Sequence, residues 1–100
     1  MTFARPERKG ERIMLFMSIG TYEPDKRDAI VKRMAEKGLM FPEGVKLIGQ
    51  WTDVGGGRVF TMSETDDPIA MALASYNWTD LCKFEVVPLI VTEEGMKAIS

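Results

Sequence analysis

Tyr22, Trp51, Asp53, Arg58, Glu64, Tyr76 and Trp78 are the side chains of this sequence best suited to serve a ligand. The aromatic rings offer flat walls, Asp53 and Glu64 can anchor a polar group or accept a proton, Tyr22 can pass one on, and Arg58 can pair with an acid. Together they suit a small aromatic or acidic compound, either bound and sensed or turned over by proton transfer at an enolisable carbon. The competing reading is that the aromatics fill a core or a subunit seam and that Arg58 makes a surface ion pair.

What is missing narrows the chemistry further. The chain has no histidine, which removes Ser-His-Asp and Cys-His nucleophilic machinery and histidine metal sites within one chain. Cys82 is the sole cysteine, with no CxxC pair for a soft metal and no partner base, and following Leu81 it reads as a buried inert thiol that makes no internal disulfide. Asp66-Asp67-Pro68 lacks calcium-loop spacing and reads as a helix start. No metal and no cofactor are expected.

The stretch WTDVGGGRVF, Trp51 to Phe60, raises a phosphate-binding alternative because it holds Gly55, Gly56 and Gly57 in succession. A phosphate cradle runs from a strand into a helix, whose free amides face the anion. Here the glycines lead instead into Arg58-Val59-Phe60-Thr61-Met62, β-branched and aromatic with no helical stripe. They are expected to turn a hairpin, where glycine adopts positive φ without steric cost.

The elements that must position these groups follow from periodicity. Ile13 to Thr21 reads as a first strand, apolar on both faces, and Pro24 opens a helix with a stripe at Ile30, Val31, Met34 and Ala35 that stops at Gly38. Leu39 to Gly44 is a loop. A second strand, Val45 to Asp53, would place Val45, Leu47, Gly49, Trp51 and Asp53 on one face, with Gly49 leaving room for something flat beside Trp51. If that face meets the helices, Trp51 lines a pocket with Tyr22, Tyr76 and Trp78. Arg58 to Glu64 is the third strand, followed by a helix capped at Thr65-Asp66-Asp67-Pro68 with Ile69, Leu73 and Tyr76 as its buried stripe. Lys83 to Val91 is the last strand, placed at an edge by Pro88, and Thr92 to Ser100 forms a short terminal helix.

The order strand, helix, strand, strand, helix, strand defines an α+β, ferredoxin-like βαββαβ fold: a four-stranded antiparallel sheet with helices on one face. First and last strands carry apolar side chains front and back, and burying each large one is favourable by about 1.5 to 3 kcal/mol. A homodimer packed through the open sheet face is the expected partner arrangement.

MLFMSIGTYEPDKRDAIVKR, then PEGVKLIGQW, GGGRVF and ETDDP before a tryptophan-containing helix, resembles the uncharacterised family called domain of unknown function (DUF) 3303. The resemblance spans nearly everything from Ile13 to Glu94 and implies a dimeric α/β-barrel of ferredoxin-like protomers. The wider superfamily it implies includes cofactor-free monooxygenases, isomerases and lyases that bind ligands between sheet and helices. The family itself carries no activity that can be transferred.

Residues 1–12, net basic and without periodicity, are expected to form a flexible leader before a single domain over 13–100, with Met14 as an alternative start. The leader lacks the apolar core and cleavage site of a secretory signal, no apolar run could cross a bilayer, and a cytoplasmic location is expected. The remaining body is acidic and would repel a phosphate backbone. Leu15-Phe16-Met17 weakly echoes the first strand of RNA-binding folds of the same strand order, but the third strand offers only Phe60 of the matching aromatic pair. A protein- or RNA-interaction module is therefore the remaining alternative, and nucleic acid is not the expected partner.

Overall fold

The computed structural model describes residues 13–99; the leader expected over 1–12 lies outside them. Strands β1 (Met14–Thr21), β2 (Lys46–Thr52), β3 (Arg58–Thr65) and β4 (Lys83–Leu89) form one sheet in the order β2-β3-β1-β4, every pair antiparallel. Helix α1 (Arg27–Lys37), entered through a 3-10 turn over Pro24–Lys26, joins β1 to β2, and α2 (Pro68–Tyr76) joins β3 to β4. A third helix, α3 (Thr92–Ile99), follows β4. This is the ferredoxin-like βαββαβ arrangement, with Pro88 on the edge strand β4 as the loss of its amide requires.

Local chemistry sets the element ends. Asp67 caps α2, its carboxylate accepting a hydrogen bond from the Ile69 amide at 3.0 Å, and Pro68 occupies the first helical position. Gly38 ends α1 with φ of 66°. At the hairpin, Gly56 and Gly57 take φ of 83° and 87°, the positive dihedrals that the turn between β2 and β3 demands.

The two sheet faces differ. Toward the helices β1 presents Phe16, Ser18 and Gly20, all buried, and β3 presents Thr61, Ser63 and Thr65. Phe16, Met71 and Ala74 form the core cluster, with Phe41 and Val45 packed against it. Leu15, Met17, Ile19, Phe60, Met62, Val87 and Leu89 point the opposite way and stay half-buried. The more oily side of β1 is thus the one that the helices leave uncovered.

Three expectations about faces need correction. The stripe Ile69, Leu73 and Tyr76 of α2 is exposed, and Ala70, Met71 and Ala74 are buried instead. The alanines let the helix backbone approach the sheet closely, and Met71 reaches down to receive the Ser63 hydroxyl at 3.3 Å. In α1 only Ile30 and Met34 of the expected stripe turn inward, while Val31 and Ala35 are exposed. Strand β2 does not keep one face either. Its register shifts between Leu47, opposite Ser63, and Gly49, opposite Met62, so Ile48 is an extra residue in a β-bulge. Val45 and Leu47 therefore belong to the helix side, and Gly49 and Trp51 to the open side.

Candidate functional site

Between sheet and helices lies a pocket of about 70 Å³ with a mouth open to solvent. Its floor is made of the small and hydroxylated residues of the central strands, Ser18, Gly20 and Thr61, with Gln50 and Val59 beside them. Helices and loops supply the walls: Ile30 and Met34 from α1, Phe41 from the following loop, Met71, Ala74 and Ser75 from α2, then Trp78, Cys82 and Phe84, with Tyr22 at the end of β1.

The space exists because side-chain volume is missing from β1. Phe84 lies over Gly20, where an added Cβ would come within 2.9 Å of the ring atom Cε1. Ser18 is 6% exposed, and none of the hydrogen bonds among the described residues engages its hydroxyl. Ser18 is the register partner of Thr61, so their side chains stand side by side on one face. Gln50 donates to the Thr61 hydroxyl oxygen at 3.1 Å, which leaves the Thr61 proton to donate elsewhere.

A polar clamp holds the Trp78 wall. The Trp78 indole N–H donates to the Leu39 carbonyl at 3.1 Å, and the Asn77 amide donates to the Met40 carbonyl at 2.9 Å. Arg33 from α1 donates to both carboxylate oxygens of Asp80, at 2.8 and 2.7 Å, and to the Asn77 carbonyl at 3.1 Å, while its guanidinium sits 5.4 Å from the Trp78 ring centroid. Hydrogen bonding to Arg33 holds the Asp80 carboxyl below its ordinary range. Burial pushes the Cys82 thiol up, so it lines the pocket protonated and is a poor nucleophile at neutral pH.

Of the side chains singled out in the sequence, Tyr22 and Trp78 line this pocket and the others do not. Trp51 is 53% exposed on the open face, because the bulge turned it away from the helices. The flat object beside Gly49 is the Trp51 indole itself: a Cβ on Gly49 would lie 2.8 Å from its Cη2. Tyr76 is 72% exposed. Asp53 closes the hairpin, accepting from the Gly55 amide and from Arg58 Nε, each at 2.9 Å. The Arg58 bond, then the Gly55 bond, hold the Asp53 carboxyl below its ordinary range. Arg58 also packs 5.3 Å from the centroid of Phe60, and Glu64 faces Lys46 at 3.8 Å. Among the described residues, no carboxylate and no cationic side chain lines the pocket.

The hairpin touches the pocket by a different route. The Tyr22 amide donates to the Gly57 carbonyl at 3.0 Å, fixing the end of β1 from which the Tyr22 ring reaches the pocket. Sequence reasoning missed Ser18, Gly20, Gln50, Thr61 and Phe84. The available signal was the alternation Phe16, Ser18, Gly20, in which side-chain size falls along one face of an otherwise oily strand. Among the described residues, no group of three or more Cys, Asp or Glu could hold a metal ion, and no helix is long and apolar enough to cross a membrane.

The family model for "Domain of unknown function (DUF3303)" matches residues 14–100. The chain belongs to the DUF3303 family. Two solved structures share the fold. Rv0793 from Mycobacterium tuberculosis is 14% identical with a TM-score of 0.56, over 80% of this chain and 95% of that one. An uncharacterized NIPSNAP-like domain protein from Burkholderia xenovorans is 16% identical with a TM-score of 0.57, over 81% of this chain and 86% of that one. At such identities the likeness describes the backbone and carries no activity across to this DUF3303 domain. Among curated proteins nothing matches the chain.

Proposed function

We propose that this DUF3303 domain binds or senses a small molecule in the pocket between sheet and helices. The observation that carries the reading is the pocket's composition. Aromatic rings of Tyr22, Phe41, Trp78 and Phe84 stand around a floor bearing Ser18 and Thr61 hydroxyls. Apolar walls with a few convergent polar groups are the usual make-up of ligand sites. With Asp53 engaged by the hairpin and Glu64 by Lys46, a carboxylate-driven proton abstraction has no agent in the pocket among the described residues, which favours binding over turnover. The test follows the Trp78 indole N–H in a proton–nitrogen correlation spectrum while small aromatic metabolites are added. Saturable movement of that signal supports the reading, and a resonance that stays fixed throughout the series removes it.

The working unit we propose is a homodimer joined through the open sheet faces. Leu15, Met17, Ile19, Phe60, Met62, Val87 and Leu89 form a contiguous half-buried patch there, bordered by Lys46, Arg58, Glu64, Lys83 and Glu85. Contiguous apolar surface rimmed by charge is characteristic of subunit interfaces. Analytical ultracentrifugation at micromolar concentration should give twice the protomer mass, and Met17→Arg should halve it; a wild-type chain sedimenting as a monomer would rule the dimer out.

A further inference from the structure

The geometry points to a more specific occupant: an uncharged, single-ring aromatic carbonyl compound whose oxygen is received by the paired hydroxyls of Ser18 and Thr61. This rests on the pocket being a ligand site and adds the class of ligand.

Charge is decided first. Burying an ion without a partner is far more costly than burying a neutral polar group. Arg33, which stacks on the Trp78 wall, is already spanned by Asp80 and the Asn77 carbonyl. Among the described residues, nothing in the lining offers an anion a countercharge, and the same holds for a cation.

The polar atoms then set the ligand's own group. Ser18 is more than nine-tenths buried and its hydroxyl is unengaged at the pocket floor. Across the strand pair, Thr61 accepts from Gln50 through one lone pair, and its proton is free to be donated toward the pocket. Directly paired residues have Cβ atoms only about 4.5 to 5.5 Å apart, which lets both hydroxyls donate to one oxygen. A carbonyl oxygen has the two lone pairs needed to accept both bonds. The protonated Cys82 thiol adds no strong acceptor that would favour an amine instead.

Size gives the last constraint. The pocket measures about 70 Å³. An apolar cavity of about 150 Å³ takes up a whole benzene molecule. At less than half that volume, the enclosed space takes the carbonyl oxygen and the near edge of a single ring between Trp78 and Phe84, and the rest of the ring projects through the mouth.

The test uses three probes of nearly the same shape on the full chain: acetophenone, its oxygen-free isostere 2-phenylpropene, and benzoate, each titrated against the Trp78 indole signal. Acetophenone should bind about threefold to tenfold more tightly than 2-phenylpropene, the range expected for one net hydrogen bond, and benzoate more weakly than either. Ser18→Ala and Thr61→Val should each reduce the preference for acetophenone over 2-phenylpropene, since each removes one of the two donors. Equal binding of acetophenone and 2-phenylpropene by the wild-type chain would overturn the carbonyl assignment while leaving the pocket a ligand site. Preference for benzoate would overturn the requirement for neutrality. If no probe moves the Trp78 signal, the binding function fails and this inference with it.

Discussion

The Trp51 indole lies flat across Gly49, its own neighbour two residues back on β2, so closely that a Cβ on Gly49 would stand 2.8 Å from Cη2 and 3.1 Å from Cζ2. The glycine is required by the ring, and the ring belongs to the sheet face without helices. Gly49→Ala should push the indole off the strand and shift the Trp51 contribution to fluorescence, read in a Trp78→Phe background. Because the displaced ring is half exposed, the fall in stability from urea titration should be on the order of 1 kcal/mol. Unchanged emission would mean that the ring does not rest there.

Gly20 and Phe84 form a related pair inside the protein. An added Cβ at Gly20 would meet Cε1 of Phe84 at 2.9 Å and Cδ1 at 3.5 Å, and Gly20 is buried. Gly20→Ala should cost about 1 to 3 kcal/mol of stability through overpacking, seen as a lower urea midpoint at constant slope. It should also deform the pocket wall, so the Trp78 indole signal should shift even without ligand.

Acid should weaken the fold by a route that can be separated by mutation. Asp53 is held below the ordinary carboxylate range by its bonds to Arg58 and Gly55, and Asp80 by its bonds to Arg33. A carboxyl depressed in the folded state binds more protons when unfolded, so its stabilising contribution is complete above the unfolded value of about 3.9 and is lost as pH falls through the folded one. Urea midpoints should therefore hold from pH 7 to about pH 5 and drop below about pH 4. Asp80→Asn should flatten part of that drop. Both pairs are largely solvent-screened, so the effect is modest and should shrink further at high salt.

The helix start at Asp67 provides a local control. Its carboxylate accepts the Ile69 amide at 3.0 Å. Asp67→Ala should lower stability by about 1 kcal/mol, and Asp67→Ser should recover most of it. Equal loss in both variants would mean that the capping bond is not the source.

The parts of this fold written in short-range chemistry were legible in the sequence. The hairpin follows from Gly56 and Gly57, the start of α2 from Asp67 and Pro68, and the edge position of β4 from Pro88, because each reflects a backbone restriction of the residue itself. The rotation of α2 was not legible. Ile69, Leu73 and Tyr76 are its bulkiest stripe, yet Ala70 and Ala74 face the sheet, since closeness of approach outweighed the size of the side chains. Most of the pocket escaped notice for a similar reason: it is bounded by small residues, Ser18 and Gly20, and absent volume leaves little trace in a pattern of hydrophobicity. The sequence pattern leaves the side of Trp51 open and puts it on one face with Leu47, because a period of two carries no warning of an inserted residue.

That inserted residue, Ile48, acts as a parity switch. Upstream of it β2 answers to the helices through Leu47, downstream it sends Gln50 to the pocket and Trp51 to the far side, and strict alternation could not do all three. Removing Ile48 alone would carry the ladder straight from Leu47 opposite Ser63 to Gly49 opposite Met62, leaving Gln50 and Trp51 on their present sides and removing only the bend that the bulge gives the strand. A residue lost between Gly49 and Trp51, by contrast, would meet no bulge to absorb it and would turn the indole into the space above the hydroxyl floor.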